Sequence, residues 1–169
     1  DQAESLIDKE YAVNGLRPSF YDDIRFSEDE NKMFFGLAKP KVVKDTSLTK
    51  EEIVNVEVWT YDEPRLYTVQ EMQLKNDTVK AYTSIVHLNK NNKIMQLANS
   101  DHPDLQLTRD MNANYALTSN GEPYLLESQW TGRRARDYAL INVDTGDKKD
   151  IMEKVTGRVM LSPDGSYVY

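Results

Sequence analysis

The chain contains no cysteine. Disulfides, thiolate metal ligands and thiol nucleophiles are therefore excluded, and the redox compartment is left open. It has only two histidines, His87 and His102. His87 lies between Val86 and Leu88 in a strand-like run, and His102 precedes Pro103 in a loop flanked by Asp101 and Asp104. Neither has a visible companion for a metal site or a Ser-His-Asp triad. The inventory thus supplies no catalytic residue, no metal ligand set and no cofactor fingerprint. Gly-x-Ser-x-Gly is missing, which removes the nucleophile elbow. Gly-x-Gly is missing as well, which removes the dinucleotide and phosphate-loop signatures. No run of apolar residues is long enough to span a membrane as a helix. Basic residues are outnumbered, 21 to 28, for a net charge of −7, which argues against a nucleic-acid partner. The opening residues Asp1-Gln2-Ala3-Glu4-Ser5 do not read as a signal peptide, although a piece of a longer protein would say nothing of the whole on that point.

What the chain does contain is a repeated hairpin. Phe26-Ser27-Glu28-Asp29 leads through a polar turn into Met33-Phe34-Phe35, and Leu161-Ser162-Pro163-Asp164-Gly165 leads into Tyr167-Val168-Tyr169. Leu107-Thr108-Arg109-Asp110 followed by Tyr115-Ala116-Leu117 is a looser copy with a longer turn. In each, a hydroxyl and a carboxylate two residues later can bond backbone N–H groups of the turn. Asp164-Gly165 suits a tight turn because glycine takes positive φ without steric cost. Three copies indicate a repeat architecture. Because the third stops inside a strand, the expectation is a piece of a larger protein that self-associates or leaves its last residues poorly packed.

Other segments fill in the plan. Val54-Asn55-Val56-Glu57-Val58-Trp59-Thr60-Tyr61 alternates with period two and reads as a half-buried strand, either of a repeat or of an insertion. Tyr82 to Leu88 and Ile94 to Leu97 read as strands joined by an Asn/Lys turn. Tyr138 to Val143 reads as another, with Ile151-Met152 opening its return. Tyr124-Leu125-Leu126 is a short apolar run, residues 39–50 read as a solvated excursion, and residues 65–80 are ambiguous between helix and strand. Asp110 and Asp164 are 54 residues apart, close to the roughly 40–50 of a four-stranded propeller blade; Asp29 and Asp110 are 81 apart, which leaves room for insertions. The expected fold is all-β, with hardly any helix: a polar segment over 1–21, then a partial β-propeller of about three four-stranded antiparallel blades, roughly 22–104, 105–157 and the start of a third at 158–169.

One basic cluster stands out: Arg133, Arg134 and Arg136, after Trp130-Thr131-Gly132. Guanidinium groups clamp carboxylates through paired hydrogen bonds. The cluster is thus the candidate substrate-binding site, for a peptide carboxylate or an acidic group of a neighbouring domain. A basic loop between strands would carry the same residues.

Val54 to Tyr61, Met72-Gln73-Leu74-Lys75 and Glu127 to Tyr138 resemble the N-terminal propeller of prolyl-oligopeptidase-family serine peptidases, of the large Bacteroidetes type. Leu161-Ser162-Pro163-Asp164-Gly165 is shared with TolB-like propellers. The resemblance runs from about Ile24 onward. It implies a propeller joined to a C-terminal α/β-hydrolase domain that carries a Ser-Asp-His triad, a peptide substrate, and a periplasmic or secreted location. No residue here matches that triad, so no catalytic role transfers. The implied function is to gate substrate access to a hydrolase domain outside this chain; a TolB-like propeller that binds a protein partner is the alternative.

Overall fold

The computed structural model describes residues 5–8, 10–41, 47, 49, 56, 58, 60 and 62–169. The described residues are mostly β, with 34% of them in strands and 15% in helices, arranged as two antiparallel sheets, one of them curled like half a barrel. The all-β expectation therefore holds only coarsely, since among the described residues two α-helices interrupt the strands.

In the first sheet β1 (Arg17–Pro18) and β2 (Arg25–Phe26) lie end to end along β3 (Lys32–Ala38), which pairs on its other side with β4 (Ala81–His87), followed by β5 (Lys93–Gln96). In the second, β6 (Asp104–Gln106), β7 (Tyr115–Asn120), β8 (Arg136–Asn142) and β9 (Lys148–Val155) follow in sequence order. Each sheet is thus four strands wide, with a short first strand. Between β3 and β4 the chain makes an excursion carrying helix α1 (Tyr67–Thr78); between β7 and β8 it makes a second, with a 3₁₀ turn (Glu122–Tyr124) and helix α2 (Leu125–Thr131).

Alternation along the strands sorts the core into layers. Phe34 and Ile85 of the first sheet meet Ala116 and Ile141 of the second, with Leu97 and Val143 completing the layer between them. Met33, Phe35, Leu37 and Val86 point the opposite way and are covered by Leu6, Ile7, Tyr11, Val13 and Leu16 of the N-terminal segment. Leu117 and Tyr138 cover the far face of the second sheet together with Leu161, Val159 and Val168. β3 is buried along its whole length because both faces are covered, which explains its near-continuous apolar sequence. Each large apolar side chain buried here stabilises the fold by about 1.5–3 kcal/mol.

The repeated motif has a repeated geometry. Ser27 Oγ donates to Asp29 Oδ1 at 2.6 Å and accepts from the Lys32 amide at 2.9 Å, and the Asn31 amide donates to Asp29 Oδ1 at 3.1 Å. Ser162, Asp164, Tyr167 and Ser166 reproduce these bonds at 2.6, 2.9 and 3.1 Å. The third residue after each hydroxyl is left-handed: Glu30 at φ 58°, Met111 at 56° and Gly165 at 73°. Hydrogen bonds from their neighbours hold Asp29 and Asp164 at pKa values of about 2, Asp29 chiefly through Ser27 and Asn31, Asp164 chiefly through Ser162 and Ser166.

The middle copy opens early. The Asn112 amide still donates to Asp110 Oδ1 at 3.2 Å, and the Asp110 carboxyl is still held below its ordinary pKa, first by the adjacent Thr108 hydroxyl. That hydroxyl sits beside the carboxylate without closing a well-formed bond. The first turn docks against this middle copy. Buried Lys32 donates from Nζ to the carbonyls of Asn112 at 2.6 Å and Ala113 at 3.2 Å, while the Glu28 and Asp29 amides donate to Asp110 O and Asn112 Oδ1. The third turn leans on the second in the same direction: a Cβ on Gly165 would lie 2.6 Å from Ala113 Cβ and 3.3 Å from Thr108 Cγ2. The three turns therefore form a row that registers one sheet against the next.

Within 65–80, left open between helix and strand, Tyr67–Thr78 form α1, and the short apolar run at 124–126 leads from the 3₁₀ turn into α2. The 54–61 strand lies partly outside the described residues; of those described, Val56 and Val58 are exposed. Met160 and Tyr169 exchange both backbone hydrogen bonds at 2.8 and 2.9 Å, while the Tyr167 and Tyr169 side chains stay exposed, so the expectation of loosely packed last residues is not overturned. No helix among the described residues is long and apolar enough to cross a membrane.

Candidate functional site

The two excursions leave the same end of the sheets, opposite the row of turns. Each begins where the ladder cannot continue. After Ala38 the chain passes Lys39-Pro40-Lys41, and Pro40 has no amide to donate. α1 mixes good helix formers, Gln70 to Lys75, with poorer ones at both ends, has no apolar face and buries no residue. It is braced from outside: Arg65 Nη1 bonds Gln73 Oε1 and Asp77 Oδ2, both at 2.8 Å. The second excursion opens where the Asn120 side chain accepts from the Glu122 amide at 2.9 Å, and α2 closes on left-handed Gly132, whose amide returns to Ser128 O at 2.9 Å. Tyr124 Oη donates to Asp137 Oδ1 at 2.6 Å and Lys154 pairs with Glu127 at 2.8 Å, tying this excursion down to the second sheet. The bond to Asp137 raises the Tyr124 pKa.

The excursions touch through Gln129 Nε2, which donates to Pro64 O at 2.9 Å, and through Lys80 and Glu122 at 3.6 Å. Between them lies a cleft of about 1270 Å³. Six cations line it: Lys39, Lys41, Arg65, Lys80, Arg134 and Arg136. Among the described residues three acids do: Asp77, Asp104 and Glu122. The acids are all engaged. Asp77 holds Arg65, Glu122 holds Lys80, and Asp104 holds Arg136, whose Nη1 also donates to Ser119 Oγ at 2.7 Å. Lys39, Lys41 and Arg134 are left without a partner among the described residues. On a chain of net charge −7 the described residues lining the cleft carry a local excess of three positive charges. Leu66, Val69 and Leu125 give the same cleft apolar wall.

The predicted Arg133-Arg134-Arg136 cluster is thus divided three ways. Arg134 lines the cleft with no partner among the described residues; Arg136 lines it but is committed to Asp104 and Ser119; Arg133 is exposed and is not among the lining residues. Lys39 and Lys41 escaped notice because in sequence they belong to a lysine-rich excursion almost a hundred residues away from Arg134.

The histidines lie elsewhere. His87 is buried, 1% exposed, donates from Nε2 to Val143 O at 2.9 Å and holds Nδ1 3.6 Å from Asp144 Oδ1. With Lys90, 3.1 Å from Asp144, it latches the far-end turn of the first sheet to that of the second. His102 accepts from Lys148 Nζ at 2.8 Å; partial burial, then the Lys148 charge, lower its pKa. Among the described residues no group of three or more histidines and carboxylates is placed to hold a metal.

No protein-family model matches the chain, and no curated protein matches it significantly.

Proposed function

We propose that this chain is the propeller portion of a serine peptidase of the prolyl oligopeptidase family, gating peptide access to a hydrolase domain that lies outside it, in the periplasm or secreted. One observation carries the reading. Both sheets repeat the same order of short strand, Ser/Thr-x-Asp turn, long strand, excursion and two further strands, and a third turn at Leu161 to Val168 leans on the second as the second leans on the first. Blades stacked face to face around an axis repeat in this manner. The resemblance of Glu127 to Tyr138 and of the Ser-Pro-Asp-Gly turn to that family selects the peptidase among propellers. Gating belongs to the excursions, because they stand at one end of adjacent blades and leave a cleft that an extended peptide can enter.

The test reads the gene beyond Tyr169 and assays its products. A downstream Gly-x-Ser-x-Gly followed by aspartate and histidine, with chromogenic di- and tripeptides cleaved by the longer product and not by this chain, is the expected result. Further blades ending without a hydrolase would overturn the peptidase reading in favour of a TolB-like module that binds a protein partner.

A further inference from the structure

We propose that the cleft between the two excursions binds an acidic oligopeptide, holding its carboxylates with Lys39 and Lys41 on one side and Arg134 on the other. The acids of the cleft are consumed by Arg65, Lys80 and Arg136, so the three remaining cations have no internal counter-charge among the described residues. Unpaired cations gathered in a concave site favour an anionic ligand. The size and walls of the site select its class. At about 1270 Å³ the cleft is larger than a pocket for a small anion needs, and Leu66, Val69 and Leu125 offer carbon surface that an inorganic ion leaves uncovered. A long polyanion is disfavoured by the net charge of −7. An oligopeptide with spaced carboxylates satisfies both charge and apolar wall.

The cations come from different sheets. Lys39 and Lys41 follow β3 of the first, and Arg134 precedes β8 of the second. A ligand that engages both sides therefore bridges the sheets at the end opposite the row of turns. This deepens the gating reading by naming what the gate favours. The two fail separately, because binding is measured on this chain alone and the peptidase assignment is tested by reading the gene past Tyr169.

The experiment is isothermal titration of the chain, at low ionic strength, with a blocked pentapeptide carrying two glutamates and with its glutamine and lysine counterparts. The glutamate peptide binds; the glutamine peptide is weaker by about tenfold or more, as expected for lost charge-assisted bonds, and the lysine peptide is weaker still. Arg134→Gln and Lys39→Gln each weaken the glutamate peptide by about threefold to tenfold. Lys149→Gln, on exposed β9 and away from the cleft, leaves it unchanged. Circular dichroism and the urea midpoint confirm that each variant is folded. Equal binding of the glutamate and glutamine peptides, no detectable binding of either, or equal losses for Lys149→Gln and Arg134→Gln would each overturn the proposal.

Discussion

Replacing Lys32 by methionine tests whether the row of turns holds the two sheets together. The Lys32 side chain rises from β3 in the first sheet and ends on two carbonyls of the second, Asn112 O at 2.6 Å and Ala113 O at 3.2 Å, with the residue 7% exposed. Methionine keeps most of the aliphatic stem and its packing, so the substitution isolates the ammonium group. Its loss leaves two carbonyls short of a partner, at about 1–3 kcal/mol each if water does not replace it. Against this stands the relief of no longer burying a charge, which can return several kcal/mol. Because the site lies near the surface between two turns, water reaches part of it and both terms shrink. The net expectation is a destabilisation of about 2–4 kcal/mol, or about 5–15 °C in Tm for a domain of this size. Urea unfolding followed by circular dichroism measures it. The location adds a second readout: with the cross-sheet bond gone, the two sheets lose cooperativity and the denaturant slope falls. The Lys32 charge also helps to hold the Asp29 and Asp110 carboxyls down, so both should titrate higher in the variant. A loss below about 0.5 kcal/mol with an unchanged slope would refute the reasoning, since that is the level of an ordinary surface substitution.

Two further predictions concern the turns. Gly165→Ala places a Cβ 2.6 Å from Ala113 Cβ at a residue with φ 73°, and should cost about 2–4 kcal/mol; adding Ala113→Gly should recover the steric share and leave the left-handed share of about 1–2 kcal/mol, and full recovery in the double variant would show that φ does not matter. Asp29 and Asp164 have folded pKa values of about 2 against an ordinary 3.8, so their contribution to stability is complete above the unfolded value and is lost as pH falls from about 4 through 2. Carboxyl titration by nuclear magnetic resonance should show both low values, and Ser27→Ala should return Asp29 toward 3.8 while Asp164 stays low; equal movement of the two would disprove the local hydrogen-bond cause.

The repeat was legible in the sequence because its signals are local. A hydroxyl and a carboxylate two residues apart bond within one turn, and period-two apolar strands follow directly, so the turns at Ser27, Thr108 and Ser162 fall between paired strands or at a pairing bridge, as read. The strands from Ala81 to Gln96 and from Arg136 to Val155 were equally visible for that reason. The helices were not. α1 has no apolar stripe to give it away, since it packs into no core, and α2 begins with the same short apolar run that a strand would show. Burial was misjudged where both faces of a strand are covered: Lys32 reads as a polar turn residue, yet it lies beneath the neighbouring turn and cross-links the sheets.

The candidate site was legible only in part. An arginine cluster is visible in any sequence, but which of its charges is free depends on which carboxylates fold against it. Asp104 is thirty-two positions from Arg136, and Lys39 and Lys41 are nearly a hundred from Arg134; strand order alone brings them to one end of the sheets. The sequence by itself determined the repeating hairpin, its hydroxyl–carboxylate turns and the layers of apolar side chains, because these rest on contacts a few residues apart and on strand periodicity. Only the tertiary structure decided how the turns dock in a row and which cations are spent and which stay free, because charge pairing is a property of distances in space that sequence separation does not encode.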